Sequence, residues 1–377
     1  MANNAINLKL MIGPAFPVPV PEPVLAALTD VQVVSASGEQ DSGFELKFTL
    51  SKRSLLQTLF LVSGGAMPPL IRVVIAVTFR GVVTVLMDGL MTEQSINPGS
   101  HPGQSVLTLR GTDLSAAMNL IDFSGLPYPA MPLFARVALI LAKYAALGII
   151  PLVIPSIVTD VPVPTKQIPQ HQGKDLDYIR YLAHRCGYVF YIEPGPTIGV
   201  SKAYWGPEIK VGYPQPALNI DMDAFTNVES LNFRIDKERK KIPLVRIVEE
   251  NSGVPLELPI PDITPLNPPL GLLPPLPPKI EPVRGTDQAS PLTSVMMGLA
   301  EASRTSDAVF GTGSLDVLRY GNILKSRSLV GVRGAGMAFD GLYYVSKVTH
   351  QIKRGEYKQS FELKRNGIIS TLPAVPA

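Results

Sequence analysis

Alternating apolar and polar positions run through much of the chain and predict strands more often than helices. Phe44, Leu46, Phe48 and Leu50 share one face, while Glu45, Lys47 and Thr49 share the other. Residues 71–86 are rich in Val, Ile and Thr without a helical period, and read as one or two further strands. Asp88-Gly89 has the form of a hairpin turn, with partner strands expected over 91–96 and 105–110. Residues 30–112 are therefore expected to form a small antiparallel barrel or sandwich. Alternation returns at Leu231, Phe233 and Ile235, against Ser230, Asn232 and Arg234. Near the end, 343–352 and 357–365 predict a hairpin turning through Lys353-Arg354-Gly355-Glu356. In its second strand Tyr357, Phe361 and Leu363 oppose Lys358, Ser360, Glu362 and Lys364.

Helical spacing is concentrated in the middle. Asp113 is placed to cap a helix over 114–121, and 133–147 reads as a second helix stopped by Gly148. The clearest case is 175–186, where Leu176, Ile179, Leu182 and Cys186 recur at helical intervals. Asp175 is expected to cap it and Gly187 to end it in the left-handed conformation, before a buried strand over 188–192. A further helix is predicted over 292–303, with Leu292, Val295, Met296 and Leu299 on one side.

Composition changes this picture in three ways. The 377 residues, at about 150 per domain, allow two or three domains. Charged residues are only 17%, against roughly 25% in an average soluble domain, so part of the surface calls for assembly contacts. Proline reaches 37 residues and gathers in two places. Residues 1–27 read as an extended arm, and 252–283 as a polyproline insert along a surface, unfit for helix or central strand. A net charge of +3 is too small and too dispersed for a nucleic-acid partner. The single cysteine, Cys186, excludes an intramolecular disulfide. The most apolar stretch, 130–158, is broken by Pro132, Pro151 and Pro155 and carries Arg136 and Lys143, so no stable membrane insertion is expected. The N-terminal residues are broken by Gly13 and Pro14, so no secretory signal is expected.

Candidate chemistry is sparse. His171, His184 and Cys186 form a His/Cys cluster, but His184 and Cys186 sit two apart on one helix and point to different sides. The glycine-rich 331–341 lacks the Gly-Lys-Ser/Thr of a phosphate loop. Glu249-Glu250, Asp221/Asp223 and the basic run 237–241 read as solvated edges and turns. We assign no catalytic, cofactor-binding or metal-binding residue and expect no cofactor. One internal echo stands out: Asp88-Gly89 and Asp340-Gly341 each precede a hairpin whose last strand ends in a basic residue, Arg110 and Arg365.

Three segments carry a resemblance. The run 169–193, with its helix, glycine and strand, resembles the signature of phage late-control protein D and related baseplate hubs. Residues 203–207 (Ala-Tyr-Trp-Gly-Pro) resemble the version found in contractile tails and injection systems, and 339–350 with its following hairpin resembles the family's closing barrel motif. The resemblance implies an α+β, mainly β chain with two small antiparallel barrel-like tube domains around a helical, mixed middle section. The boundaries expected are an arm over 1–27, a first tube domain over 28–112 and a middle domain over 113–225. The second tube domain is expected over 226–251 and 284–367, interrupted by the insert at 252–283 and followed by a tail over 368–377. It implies a non-enzymatic homotrimeric ring adapting a three-fold spike to a six-fold tube, partnered by a separate spike protein, an inner tube protein and baseplate wedge proteins. Such a chain is assembled in the bacterial cytoplasm and carried in a phage virion or injection particle. Two other readings are a tail-associated peptidoglycan hydrolase and a membrane-associated adaptor using 132–158.

Overall fold

Two β halves flank a mixed middle section in a computed structural model, which describes residues 6–14, 16–38, 40–50, 70–99, 105–156, 161–165, 168–248, 255–261, 267–276, 279–286 and 290–372. The first half comprises β1 (Asn7–Pro14), β2 (Val18–Pro19), α1 (Glu22–Ala27), β3 (Leu28–Ala36), β4 (Gly43–Leu50), β5 (Ile71–Phe79), β6 (Val82–Asn97) and β7 (Ser105–Asp113). The middle section holds α2 (Leu133–Ala142), β8 (Ile149–Val153), α3 (Asp175–Cys186), β9 (Val189–Pro194) and β10 (Ser201–Gly206). In the second half β11 (Gln215–Asn219) and β12 (Ser230–Ile235) lead into an insert. β13 (Lys241–Val248) precedes the insert, β14 (Pro255–Pro259), β15 (Gly271–Leu273) and β16 (Lys279–Pro282) lie within 252–283, and α4 (Pro291–Arg304) follows it. The half then completes with β17 (Val309–Asp316), β18 (Leu329–Arg333), β19 (Gly341–Lys353), β20 (Glu356–Arg365) and β21 (Ile368–Ser370).

Among the described residues thirteen strands join in one sheet, whose main path is β12-β17-β20-β19-β3-β4-β7-β6-β5-β1-β2, with β18 and then β11 branching beside β19. The expected pair of barrels is corrected here. The sheet is open, and the two halves are continuous because β3 hydrogen-bonds to β19. Mainly β character with short helices stands as expected.

The halves repeat one strand plan. The order β1-β5-β6-β7-β4-β3 in the first matches β11-β18-β19-β20-β17-β12 in the second, and the chain visits the six places in the same sequence. Only the first pairing differs, antiparallel for β1 and β5 but parallel for β11 and β18. The match extends to irregularities. β6 is bulged against β7 between Met91 and Glu93, and β19 is bulged against β20 between Val345 and Lys347. Just before each bulge, Leu90 ends the pairing with β5 and Tyr344 ends the pairing with β18. Bulges fix register and local twist, so a shared bulge is a strong mark of equivalence.

Several expectations change in the structure. Asp88-Gly89 is not a turn, since it lies inside β6 opposite Val74 and Val73; the chain turns earlier, at Arg80-Gly81. The DG echo is therefore two residues off the true equivalence, which pairs Leu90 with Tyr344. Part of the proline-rich arm is a strand, because β1 pairs with β5 along its whole length. The insert is extended, as its prolines require, yet β14 and β16 flank β13 as edge strands, where a missing N–H is tolerated. α3 spans the residues expected, but Lys174 occupies its N-cap and Asp175 is its first residue, wholly buried. β5 shows no alternation because nearly every residue in it is buried, on both faces. β4 alternates as read from its sequence.

One core lies along the sheet, from Phe48, Val73 and Ile75 to Val345, Val348 and Phe361. A second gathers Val137 and Ile140 of α2, Leu176, Ile179 and Leu182 of α3, and Phe190, Ile192 and Trp205 of the neighbouring strands. Gly187 ends α3 at φ 68°, and a Cβ there would lie 2.6 Å from the Cα of Ala300 on α4. Gly187→Val therefore combines left-handed strain with a backbone clash and is expected to cost about 2 kcal/mol or more, read as a fall in thermal midpoint. An unchanged midpoint would mean that the α3–α4 contact is not tight.

Candidate assembly interface

The join between the halves is a built interface within one chain. Antiparallel pairing runs from Asp30 opposite Lys353 to Ala36 opposite Lys347. Val31, Val33, Val348 and Ile352 are buried along it. Ser35 and Ser326 share a hydroxyl hydrogen bond of 2.7 Å. The Arg327 guanidinium donates twice to the carbonyl of Ala36, at 3.0 and 2.6 Å, and lies 4.2 Å from the Tyr191 ring centroid. The join is thus closed on one side by main-chain bonds and on the other by a cation clamped onto an aromatic face.

His350 of β19 sits at the centre of this join, buried opposite Val33. Gln359 donates through Nε2 to the Leu324 carbonyl at 2.8 Å and accepts the Leu324 N–H at 2.9 Å, which fixes the orientation of its amide. The same Nε2 lies 3.2 Å from His350 Nδ1, and Tyr357 Oη lies 2.8 Å away. Because an amide nitrogen can only donate, Nδ1 is the acceptor and the ring proton sits on Nε2. Burial lowers the His350 pKa to about 4.

Buried ion pairs fasten both halves to the middle section. Arg72 of β5 forms a fork with Asp88 of β6, both bonds 2.7 Å, and also donates to the Gly199 carbonyl at 3.1 Å. Ser201 of β10 donates to the same carboxylate at 3.2 Å. In the second half Lys210 meets Asp307 at 2.6 and 2.8 Å, and Lys364 of β20 meets Glu208 at 2.8 Å. Burial pushes the Asp307 carboxyl upward, but Lys210 and Lys364 outweigh it and hold the pKa below its ordinary value. Lys364 was expected on a polar outer face; it is buried because this cluster neutralises it. Sequence reading missed both clusters. The available signal was an acid and a base inside apolar strand patterns, at Arg72 and Asp88.

The sequence-derived candidates do not converge. His171 is buried, 2.8 Å from Tyr128 Oη and 3.4 Å from Asp175, whereas His184 is exposed and Cys186 packs against Met296 Sδ at 3.6 Å. Among the described residues no three His, Cys, Asp or Glu side chains are grouped to hold a metal ion. Asp221 and Asp223 are exposed, and Lys241 of the basic run pairs with Glu281 at 2.6 Å. Glu249 and Glu250 lie outside the described residues. The glycine-rich 331–341 supplies β18 and a turn in which Asp340 accepts the Ala335 N–H at 2.8 Å.

A cleft of about 600 Å³ opens between residues 82–86 of β6, the β9–β10 turn and His350. Among the described residues its one carboxylate is Glu193, which pairs with Lys202 at 3.4 Å. Burial raises the pKa of Asp113, yet that carboxylate caps the 3-10 turn over 114–119 by accepting the Ser115 N–H at 3.0 Å. No helix of the described residues is long and apolar enough to cross a membrane. Within the stretch considered for membrane contact, Leu133, Val137, Ile140 and Leu141 face the second core.

A repeated half-sheet, an internal strand-to-strand join and a fastened middle section together define the architecture. It matches, over 97% of this chain and 98% of the other, a tail protein from Neisseria meningitidis at TM-score 0.62 and 12% identity. It likewise matches the 43 kDa tail protein of prophage MuSo2 from Shewanella oneidensis, over 96% and 99%, at TM-score 0.63 and 12% identity. The chain has the fold of these phage tail proteins. A third likeness, over 98% of this chain and 79% of the other, is to the Escherichia coli c3393 protein, at TM-score 0.55 and 12% identity. That protein is a component of the type VI secretion system with structural similarity to the T4 bacteriophage tail proteins gp27 and gp5. No family model and no curated protein matches the chain.

Two outcomes follow from the buried polar groups at these joins. Arg72→Met strips Asp88 of its partner and is expected to cost about 3–5 kcal/mol, while the added change Asp88→Leu restores part of that loss. Equal destabilisation by single and double variants in denaturant titrations would contradict the coupling. His350, with a folded pKa below its unfolded one, favours folding fully above about pH 6.5. That contribution is lost as pH falls toward 4, about 3 kcal/mol in all. In His350→Gln the pH dependence between those limits should shrink, measured as the urea midpoint at a series of pH values.

Proposed function

We propose that this chain is a structural hub of a contractile-tail or injection-particle baseplate, a homotrimeric ring that matches a three-fold spike to a six-fold inner tube. The observation that carries this reading is the strand plan present twice in one chain, down to the position of a bulge. A trimer of such chains presents six similar units, which is what a six-fold tube needs from a three-fold partner. The fold shared with phage tail proteins supports the same reading. So does the low charge, with Tyr213, Phe225, Leu276 and Met337 standing exposed and available to neighbours such as the spike, the tube and baseplate wedge proteins. Assembly belongs in the bacterial cytoplasm, with the hub then carried in the phage or injection particle.

A non-enzymatic role fits the chemistry on view. A glycosidase acid needs a carboxyl with raised pKa beside the scissile bond. Here the carboxylates of the clefts are ion-paired: Glu193 with Lys202, Glu281 with Lys241 and Glu301 with Arg304. Light scattering of the purified chain at micromolar concentration is expected to give the mass of three copies, and purified peptidoglycan is expected to survive incubation with it. A stable monomer would overturn the ring, and release of soluble glycan fragments would restore the hydrolase reading.

A further inference from the structure

The cleft of about 600 Å³ lies against a stretch of β6 that is paired on one side only. Among the described residues, β5 pairs with β6 over 82–90 and β7 pairs with it over 89–97. Over 82–88 the edge away from β5 therefore has no strand beside it. The hairpin fixes which main-chain groups face that edge. Arg80 and Gly81 form its two-residue turn, both with positive φ, at 49° and 81°. Phe79 and Val82 flank the turn and exchange its bonds, so the next bonded pair is Val77 with Thr84. Val83 and Val85 then direct their N–H and C=O groups away from β5. Among the described residues neither makes a hydrogen bond on that side.

We propose that the cleft takes an extended acidic segment of a partner polypeptide, added as a strand along residues 82–86 with a carboxylate at Lys325. This concerns a surface of the single chain and does not depend on the ring reading. The open edge selects the class of ligand. Two N–H and two C=O groups at strand spacing are matched by another extended main chain, which offers donors and acceptors at the same interval. The opposite wall cannot supply them. It is the β9–β10 turn, where Pro194 and Pro196 have no N–H to give. The side chains along the cleft are apolar and uncovered: Val82, Val83 and Ile150 are 65%, 51% and 57% exposed. An apolar strand edge left bare is a template for pairing, and a dedicated partner removes that hazard.

Charge selects the sequence. Lys202, Lys325 and Arg327 line the cleft against Glu193 alone among the described residues. Glu193 lies 3.4 Å from Lys202 and 4.0 Å from Arg327, so its charge is already met. Lys325 is exposed and forms no ion pair among the described residues. Its main chain is pinned by the Gln215 amide, which accepts the Lys325 N–H at 2.8 Å and donates to the Lys325 carbonyl at 2.9 Å. The ammonium is thus presented at the cleft from a fixed backbone. His350, on the cleft floor, is neutral at physiological pH and leaves the positive balance unchanged. A segment with an acidic side chain complements this lining, and a basic one is repelled.

Selection from a displayed library of random seven-residue peptides on the purified full-length chain tests this, with enriched peptides resynthesised and their affinity read by fluorescence anisotropy. The expected winners alternate apolar residues and carry Asp or Glu. Their affinity should fall at least tenfold in Val83→Pro, which removes one outward N–H without breaking a bond to β5, and in Lys325→Glu. Lys279→Glu, on the insert, should leave it within twofold. Circular dichroism checks that each variant is folded, and Lys325→Glu keeps the test intact if Val83→Pro is not. Hydrogen exchange of the Val83 and Val85 amides should slow when a winning peptide is added. No enrichment above an empty support, winners without an acid, or winners that bind both cleft variants as well as wild type would overturn the proposal. So would sensitivity to Lys325→Glu with exchange at Val83 and Val85 unchanged, since that is a charge contact without a strand. Amides already protected at high but not at low chain concentration would put a second copy in the cleft, and overturn it as well.

Discussion

Everything in this protein leans on one stretch of main-chain hydrogen bonding, the antiparallel pairing of β3 with β19. It joins segments about three hundred residues apart, so it commits the chain to a large loop-closure cost before any bond forms. What offsets that cost is burial on both sides of the join. Val31, Val33, Val348 and Ile352 bury apolar surface, while Arg327 and the His350–Tyr357–Gln359 network satisfy the polar groups that burial strands there. Without this pairing the sheet would be two separate open pieces. With it, the two halves form one continuous sheet.

The buried ion pairs have a different task. Arg72–Asp88 with Ser201, and Lys210–Asp307 with Lys364 and Glu208, sit where each half-sheet meets the segment around β10. Charges buried this deeply add little net stability compared with an apolar replacement, but breaking one partner is costly. They therefore discriminate against sliding or rotation of the middle section over the sheet. Paired charges at fixed register resist shear between the halves and the middle section better than a smooth apolar contact would.

Local features were legible in the sequence and non-local ones were not. α3 was readable because Leu176, Ile179 and Leu182 repeat on one face and Gly187 ends the pattern, all within thirteen residues. β4, β12 and the β19–β20 hairpin were readable for the same reason. Asp88-Gly89 misled because a dipeptide signal for a turn was weighed without its ion partner, which lies on the neighbouring strand. The glycine there has its own reason, since a Cβ at position 89 would lie 2.2 Å from the Thr112 carbonyl oxygen. Nor does alternation along 357–365 reveal that β20 is paired on both sides, by β17 and β19. Which strands share an edge is decided by register across hundreds of residues, and alternation alone cannot carry that information. The resemblance to baseplate hubs reached the fold through short segments, but not the continuity of the sheet.

The central claim is that the two halves of the chain are equivalent building units of one ring. A cryo-electron reconstruction of the purified chain, computed without imposed symmetry, tests it most directly. The account predicts a closed ring from three copies, with six similar β lobes about a pore. A ring whose two halves occupy different radii or opposite faces, or particles with no ring at all, would contradict it.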